Sequence, residues 1–222
     1  RQRLMAAAFL EHLPILQIVV PLMTAPFCIL LRRRERSWAF ALVLSWIVFA
    51  MSAMLLQRVL SEGLIIYSLG GWPAPWGIEY RIDAVNGFVA FIVSLIGAVV
   101  LLYAPRSVFS EMPDLRANLF FTAYLLCLTG LLGMPLTGDV FNVFVFLEIS
   151  SLTSYALIAT GPDRRALMAS YRYLVMGTVG ATFYVIGVGL LYMMTGTLNM
   201  ADMAERLQPV LMTRTVLAAF AF

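Results

Sequence analysis

Residues 138–159 read GDVFNVFVFLEISSLTSYALIA, an almost wholly apolar run from Gly138 to Ala159. At 1.5 Å per residue such a run forms an α-helix long enough to cross a hydrocarbon core of about 30 Å. Near its middle stands a carboxylate, Glu148. A helix starting at Asp139 puts that carboxylate roughly 13 Å deep, close to the bilayer midplane. A charge there costs about 2.5–3.5 kcal/mol on an insertion scale. The Val, Phe, Leu and Ile residues around it return about 0.3–0.6 kcal/mol each. Asn142, Ser150, Ser151, Thr153 and Ser154 narrow the margin. The segment inserts, but its glutamate needs protein or water beside it.

The rest of the chain agrees with a membrane reading. Of its 222 residues 62% are hydrophobic and 12% charged, with a mean hydropathy of +0.90. A soluble domain carries about 25% charged residues to wet its surface. Six full spans are expected at about 13–31, 38–57, 85–103, 117–136, 139–160 and 168–194, with a seventh beginning near 215. Pro14, Pro21 and Pro26 predict an irregular first span. The fold class is therefore all-α: a polytopic transmembrane helix bundle. Arg1 and Arg3 before an apolar run imitate a signal peptide, but no small-x-small cleavage site follows. A non-methionine start and the unfinished apolar run from Thr215 to Phe222 suggest a piece of a longer protein.

Loop charge gives an orientation. Every basic residue is arginine, and the arginines cluster in short loops: RRRER at 32–36, Arg106 and Arg116 in 104–116, and GPDRR at 161–165. The alternate loops, 61–84 and 134–138, hold only Arg81. The positive-inside rule puts the first set in the cytoplasm and the N-terminus outside, with Arg1 and Arg3 slightly opposed. Trp72 and Trp76, in GGWPAPWG, suit the outer interface. This distribution argues against a nucleic-acid groove. Cys28 and Cys127 fall inside spans and read as free thiols, and no Cys/His cluster suggests a metal. There is no phosphate loop, nucleotide fingerprint or hydrolase triad, so no cofactor is expected.

Glu148 is the group with chemistry. Phe141, Phe144, Ser151 and Tyr155 share its third of the helix circumference. Ser151 and Tyr155 can hydrogen-bond along that stripe, which should face the bundle interior. Desolvation raises a carboxyl pKa and a nearby cation lowers it, so a group held between the two can take up and release a proton. Intramembrane carboxylates often act this way. The alternatives are a permanently neutral acid and a static ion pair between helices. Arg172 is either a partner in such a relay or a side chain that snorkels to the interface. Asp83 and Asp139 read as helix N-caps. His12 reads as incidental. Gly177, Gly180, Gly187 and Gly189 predict close helix packing. In TGTLNMADMAERLQ, 195–208, Met200, Met203, Ala204 and Leu207 stand at helical spacing after a capping Asn199, which predicts a short amphipathic helix on the outer surface, the alternative being a solvated helical turn.

TGDVFNVFVFLEISSLTSYAL resembles the fifth helix of the proton-translocating antiporter family. LGGWPAPWGIEYRID at 69–83, ASYRYLVMGTVGATFYVIGVGLLY at 169–192 and TGTLNMADMA at 195–204 extend the match. The family includes the antiporter-like membrane subunits of respiratory complex I and membrane-bound hydrogenases, and the A-type and D-type subunits of Mrp-type Na+/H+ antiporters. The chain most resembles the D type. The resemblance implies an N-terminal fragment of a roughly fourteen-helix subunit: leading helices 1–3 with the outer GGWPAPWG loop in 1–111, then helices 4–6 and the start of helix 7 of a translocation repeat in 112–222. It implies a relay glutamate at Glu148, paired in the family with a lysine of helix 7 that would lie beyond Phe222. Arg172 stands where the family commonly has lysine; arginine keeps the charge but does not readily yield its proton. The implied function is a membrane subunit of a monovalent cation (Na+)/H+ antiporter, with other membrane subunits and lipid as partners. The alternative is a proton-pumping, non-redox subunit of a complex I or hydrogenase assembly; a passive scaffold is a third class. The implied location is the cytoplasmic membrane of a bacterium or archaeon.

Overall fold

A computed structural model describes residues 10–222; Arg1 and Arg3 lie outside the described residues. Among the described residues, six helical segments are long and apolar enough to cross a membrane. The first is broken, as its prolines require: α1 (Leu13–Thr24) stops before Pro26, and α2 (Phe27–Leu30) continues the span. The others are α3 (Arg34–Glu62), α4 (Ala84–Glu111), α5 (Asp114–Leu136), α6 (Val140–Ala159) and α7 (Arg164–Thr195). Two short helices follow, α8 (Met200–Leu207) and α9 (Arg214–Ala221). Four of the five unbroken helices outrun their expected spans, because polar turns at their ends stay helical beyond the apolar stretch. Asp83 accepts bonds from the backbone N–H groups of Val85 and Asn86, and so caps α4.

α5 is the central element. Phe121, Leu125, Leu132 and Leu136 on it are wholly buried. One end of α5 packs with Ala25, Cys28, Ala41 and Leu101, the other with Leu13, Val48, Leu55 and Ile82. Against α6 it presents glycine. A Cβ on Gly130 would lie 2.6 Å from the Ser150 backbone nitrogen, so the two helices meet backbone to backbone. Cys28 and Cys127 are free thiols, as expected.

The loop 61–84 contains a hairpin that the span pattern does not predict. β1 (Ile65–Ser68) pairs antiparallel with β2 (Glu79–Ile82), in the register Ile65 to Ile82 and Ser68 to Glu79. Beyond β2 the ladder continues. Tyr80 bridges to Thr137 and Asp139 bridges to Asn199. The Gly138 N–H donates to the Glu79 carbonyl at 2.9 Å, and the Val140 N–H to the Leu198 carbonyl at 3.0 Å. The turn between α5 and α6 is thus a strand-like strip held between the hairpin and the residues before α8.

This ladder gathers 61–84, 137–139 and 197–199 at one end of the bundle, the first two from the loops of low arginine content. At the opposite end Arg34 meets Asp114 at 3.3 Å and donates to the Phe109 carbonyl at 2.9 Å. The two ends are those distinguished by loop charge. α8 forms as expected with its Asn199 cap, but Met203 and Leu207 pack against Val216, Val140 and Leu191. Two of its four apolar residues are therefore spent on protein, while Met200 and Ala204 stay exposed. Of the α7 glycines, Gly177 lies under the Tyr155 ring and Gly187 against the Ala219 carbonyl, whereas Gly180 and Gly189 face open space. Close packing accounts for two of the four.

Candidate functional site

α6 presents two unlike faces. Phe146 and Ser150 are buried against α5. Each stands two residues from Glu148, and at 100° per residue each points about 160° away from it. Glu148 therefore projects from the side of α6 opposite α5, where it is half-buried. Tyr155 shares that side, is buried, and packs edge-on against Tyr173 of α7 at 5.0 Å between ring centres. Ser170 ties the same region by donating to the Tyr155 carbonyl at 2.8 Å. Ser151 is half-buried between Glu148 and Tyr155.

The antiparallel register of α6 and α7 decides what reaches the carboxylate. Tyr155 meets Tyr173, and the Tyr184 hydroxyl donates to the Val140 carbonyl at 2.9 Å. Glu148 lies between Val140 and Tyr155, so it opposes the part of α7 between Tyr173 and Tyr184. Arg172 falls outside that interval, level with Tyr155, and is exposed. Among the described residues the ion pairs are Arg34–Glu35, Arg34–Asp114, Arg58–Glu62 and Arg206–Asp202. Arg172 and Glu148 are thus not brought together. The Tyr155 hydroxyl lies against Gly177, within the stretch of α7 that Glu148 opposes. Glu148, Ser151 and Tyr155 lie on one stripe, as their spacing requires, without a hydrogen bond between them.

A second polar centre lies in the ladder, assembled from residues that sequence spacing does not connect. Asn199 donates to a Glu79 carboxylate oxygen at 2.8 Å, and both residues are buried. The same Asn199 accepts from the Ala201 and Asp202 N–H groups. Asp139 caps α6, accepting from the Asn142 N–H at 2.7 Å. Burial raises the Asp139 pKa, and the Asn142 and Phe141 amides partly oppose the rise. Burial also pushes the Tyr80 phenol up to about 12. Asp202 is held below its ordinary value by hydrogen bonds from Arg206 and Thr197. A cavity of about 370 Å³ opens beside Asp139, Trp76, Thr197 and Arg206. The sequence signal for this centre is two β-rich runs, LIIYS and IEYRI, flanking a Gly/Pro turn. His12 also has a partner: its Nδ1 lies 2.9 Å from the Tyr67 hydroxyl.

Known proteins place this arrangement. Residues 137–222 match the family described as NADH:quinone oxidoreductase/Mrp antiporter, transmembrane. The chain is 44% identical over 214 residues to the N-type subunit of NADH-quinone oxidoreductase from Desulforudis audaxviator. It is 35% identical over 199 residues to the D-type subunit of the Na(+)/H(+) antiporter from Bacillus subtilis. These alignments cover 95% and 89% of the chain but 42% and 40% of the relatives, so the chain spans less than half their length. Among solved structures it superposes on a chain of an archaeal membrane-bound sulfane sulfur reductase with a TM-score of 0.85 and 31% identity, covering 94% of this chain and 42% of that one. On a chain of the Mrp complex from Dietzia the TM-score is 0.78 at 24% identity, over 96% of this chain and 40% of that one, a likeness of fold. The glutamate-bearing helix, the YRY helix and the GTLNMA cap all fall inside residues 137–222, and over that segment the chain carries the transmembrane region shared by NADH:quinone oxidoreductases and Mrp antiporters.

Proposed function

We propose that this chain is part of the membrane subunit of a multisubunit monovalent cation/proton antiporter and that Glu148 carries the proton. The observation behind the proposal is an ionisable group near the middle of a spanning helix, half-buried and unpaired among the described residues. Such a group is costly unless protons, water or a moving cation are its partners. Ser151 and Tyr155 continue its stripe as relay hydrogen-bonding groups, and Arg172 acts at longer range on the field along α6. Na+ is the proposed counter-ion, by analogy with the D-type relatives, which are named as Na(+)/H(+) antiporters. Residues 1–111 serve as leading helices, and 112–222 begin the translocating repeat. The setting is the cytoplasmic membrane of a bacterium or archaeon, beside other membrane subunits.

A second reading has its own support. The 44% identity to a subunit of a quinone oxidoreductase favours a proton-pumping subunit in a redox-driven assembly. The two separate in everted vesicles carrying the whole complex. An antiporter discharges a preformed ΔpH when Na+ or K+ is added, without an electron donor. A redox-driven pump builds ΔpH when a donor is supplied and ignores the cation. Discharge by neither cation, with donor-dependent pumping, overturns the antiporter proposal.

A further inference from the structure

α4, α5 and the end of α6 enclose a groove that neither the relay nor the ladder uses. Its floor is one face of α5: Phe120, Tyr124, Cys127, Leu128 and Leu131 recur at helical spacing. Its inner part, about 360 Å³, is walled by Val93, Ile96 and Val100 on one side and Leu157 on the other. The polar atoms there are occupied, since the Tyr124 hydroxyl donates to the Gly97 carbonyl at 2.7 Å and the Cys127 sulfur lies 3.4 Å from the Ser154 hydroxyl. Val100 and Leu157 also line the next stretch, about 370 Å³, which runs past Tyr103 and Ser107 to Gly161. Gly161 in turn lines a third hollow, about 380 Å³, with Arg116, Leu119, Arg164 and Leu167. From Ile96 to Ser107 the helical rise is about 16 Å, one leaflet of a hydrocarbon core about 30 Å thick. The groove therefore runs from mid-membrane to the arginine-rich end.

We propose that this groove holds an anionic glycerophospholipid, its acyl chain between α4 and α6 and its phosphate on Arg116 and Arg164. The charge pattern selects this occupant. Arg116 and Arg164 make no ion pair among the described residues. Two carboxylates share the lining, each held to its own helix end: Glu111 accepts from the Ser107 hydroxyl at 3.3 Å and Asp163 caps α7 through the Arg165 N–H, while Asp114 pairs with Arg34. A free phosphate would leave the apolar groove unfilled, and an acidic protein segment would leave it facing oil. An arginine near a charged membrane surface contributes about fivefold in binding.

Native mass spectrometry of the full-length protein in mild detergent tests this, with phosphatidylglycerol and phosphatidylcholine of matched chains offered in turn. Phosphatidylglycerol should be retained in preference, and the R116Q/R164Q pair should lose the preference by at least about tenfold. R106Q, an exposed arginine at the same end that does not line the groove, should keep it. V100W, at the position shared by two stretches of the groove, should lose both lipids. Equal retention of the two lipids by the wild type, an unchanged preference in R116Q/R164Q, or displacement of the lipid by inorganic phosphate overturns the proposal. If V100W does not fold, the arginine pair, both exposed, still decides it.

Discussion

At the scale of single residues the structure separates two kinds of carboxylate. Asp83, Asp139 and Asp163 cap helices and are consumed by backbone N–H groups. Glu148 caps nothing. Replacing Asp139 by Asn should preserve the cap, whereas D139A should cost about 1 kcal/mol in thermal unfolding. The raised Asp139 pKa also sets a sign. The unfolded chain ionises first, so the stabilising share is complete below the ordinary carboxylate value. It is lost as pH rises through the higher folded value. D139N should therefore flatten the pH dependence of the melting temperature above about pH 4. An unchanged slope contradicts the assignment. The caps at Asp83 and Asp139 are legible from position alone, because an aspartate just before an apolar run has one obvious task. The environment of Glu148 is legible only in part. Helical period gives its stripe, but the helix register that keeps Arg172 away depends on how α6 and α7 dock.

At the scale of elements the ladder is the main departure from expectation. Hydropathy identifies spans because lipid contact dominates their composition, and each of the six expected spans falls on a spanning helix, with α4 running eight residues past its expected end. The hairpin is hard to read in sequence because each strand is four residues long and its pairing closes across a ten-residue turn. The Glu79–Asn199 bond is a buried contact between two side chains of this ladder. N199D keeps the capping oxygen but sets a carboxylate against Glu79, so it should destabilise more than N199S. E79Q should restore part of the loss in a double-mutant cycle. Additive effects would show that the two side chains do not interact. Between α5 and α6, G130A should cost about 1–3 kcal/mol, since the added methyl meets the backbone nitrogen of Ser150 and not a movable side chain. A melt equal to wild type would contradict the close approach.

At the scale of the whole molecule the two ends differ in chemistry. One gathers the hairpin, Trp72 and Trp76; the other gathers RRRER, Arg116 and GPDRR. With Cys28 and Cys127 replaced by Ala, a cysteine at Trp76 should react with an impermeant maleimide from outside intact cells. A cysteine at Arg33 should react only after the cells are opened. The reverse pattern would invert the molecule. The family likeness is legible at this scale through a few motifs, TGDVFN, YRY and GTLNMA. The first and last of these build the ladder that fixes the end of α6, so they hold the glutamate's helix in place and do not themselves touch the carboxylate.

The central claim is that Glu148 exchanges protons with its surroundings. Its most direct measurement is cation-driven ΔpH discharge in everted vesicles, with wild type, E148D and E148Q present at equal levels in the assembled complex. Glu148 as the relay predicts near-complete loss for E148Q and partial activity for E148D, with a shifted pH optimum. Full exchange by E148Q at matched protein levels would contradict it.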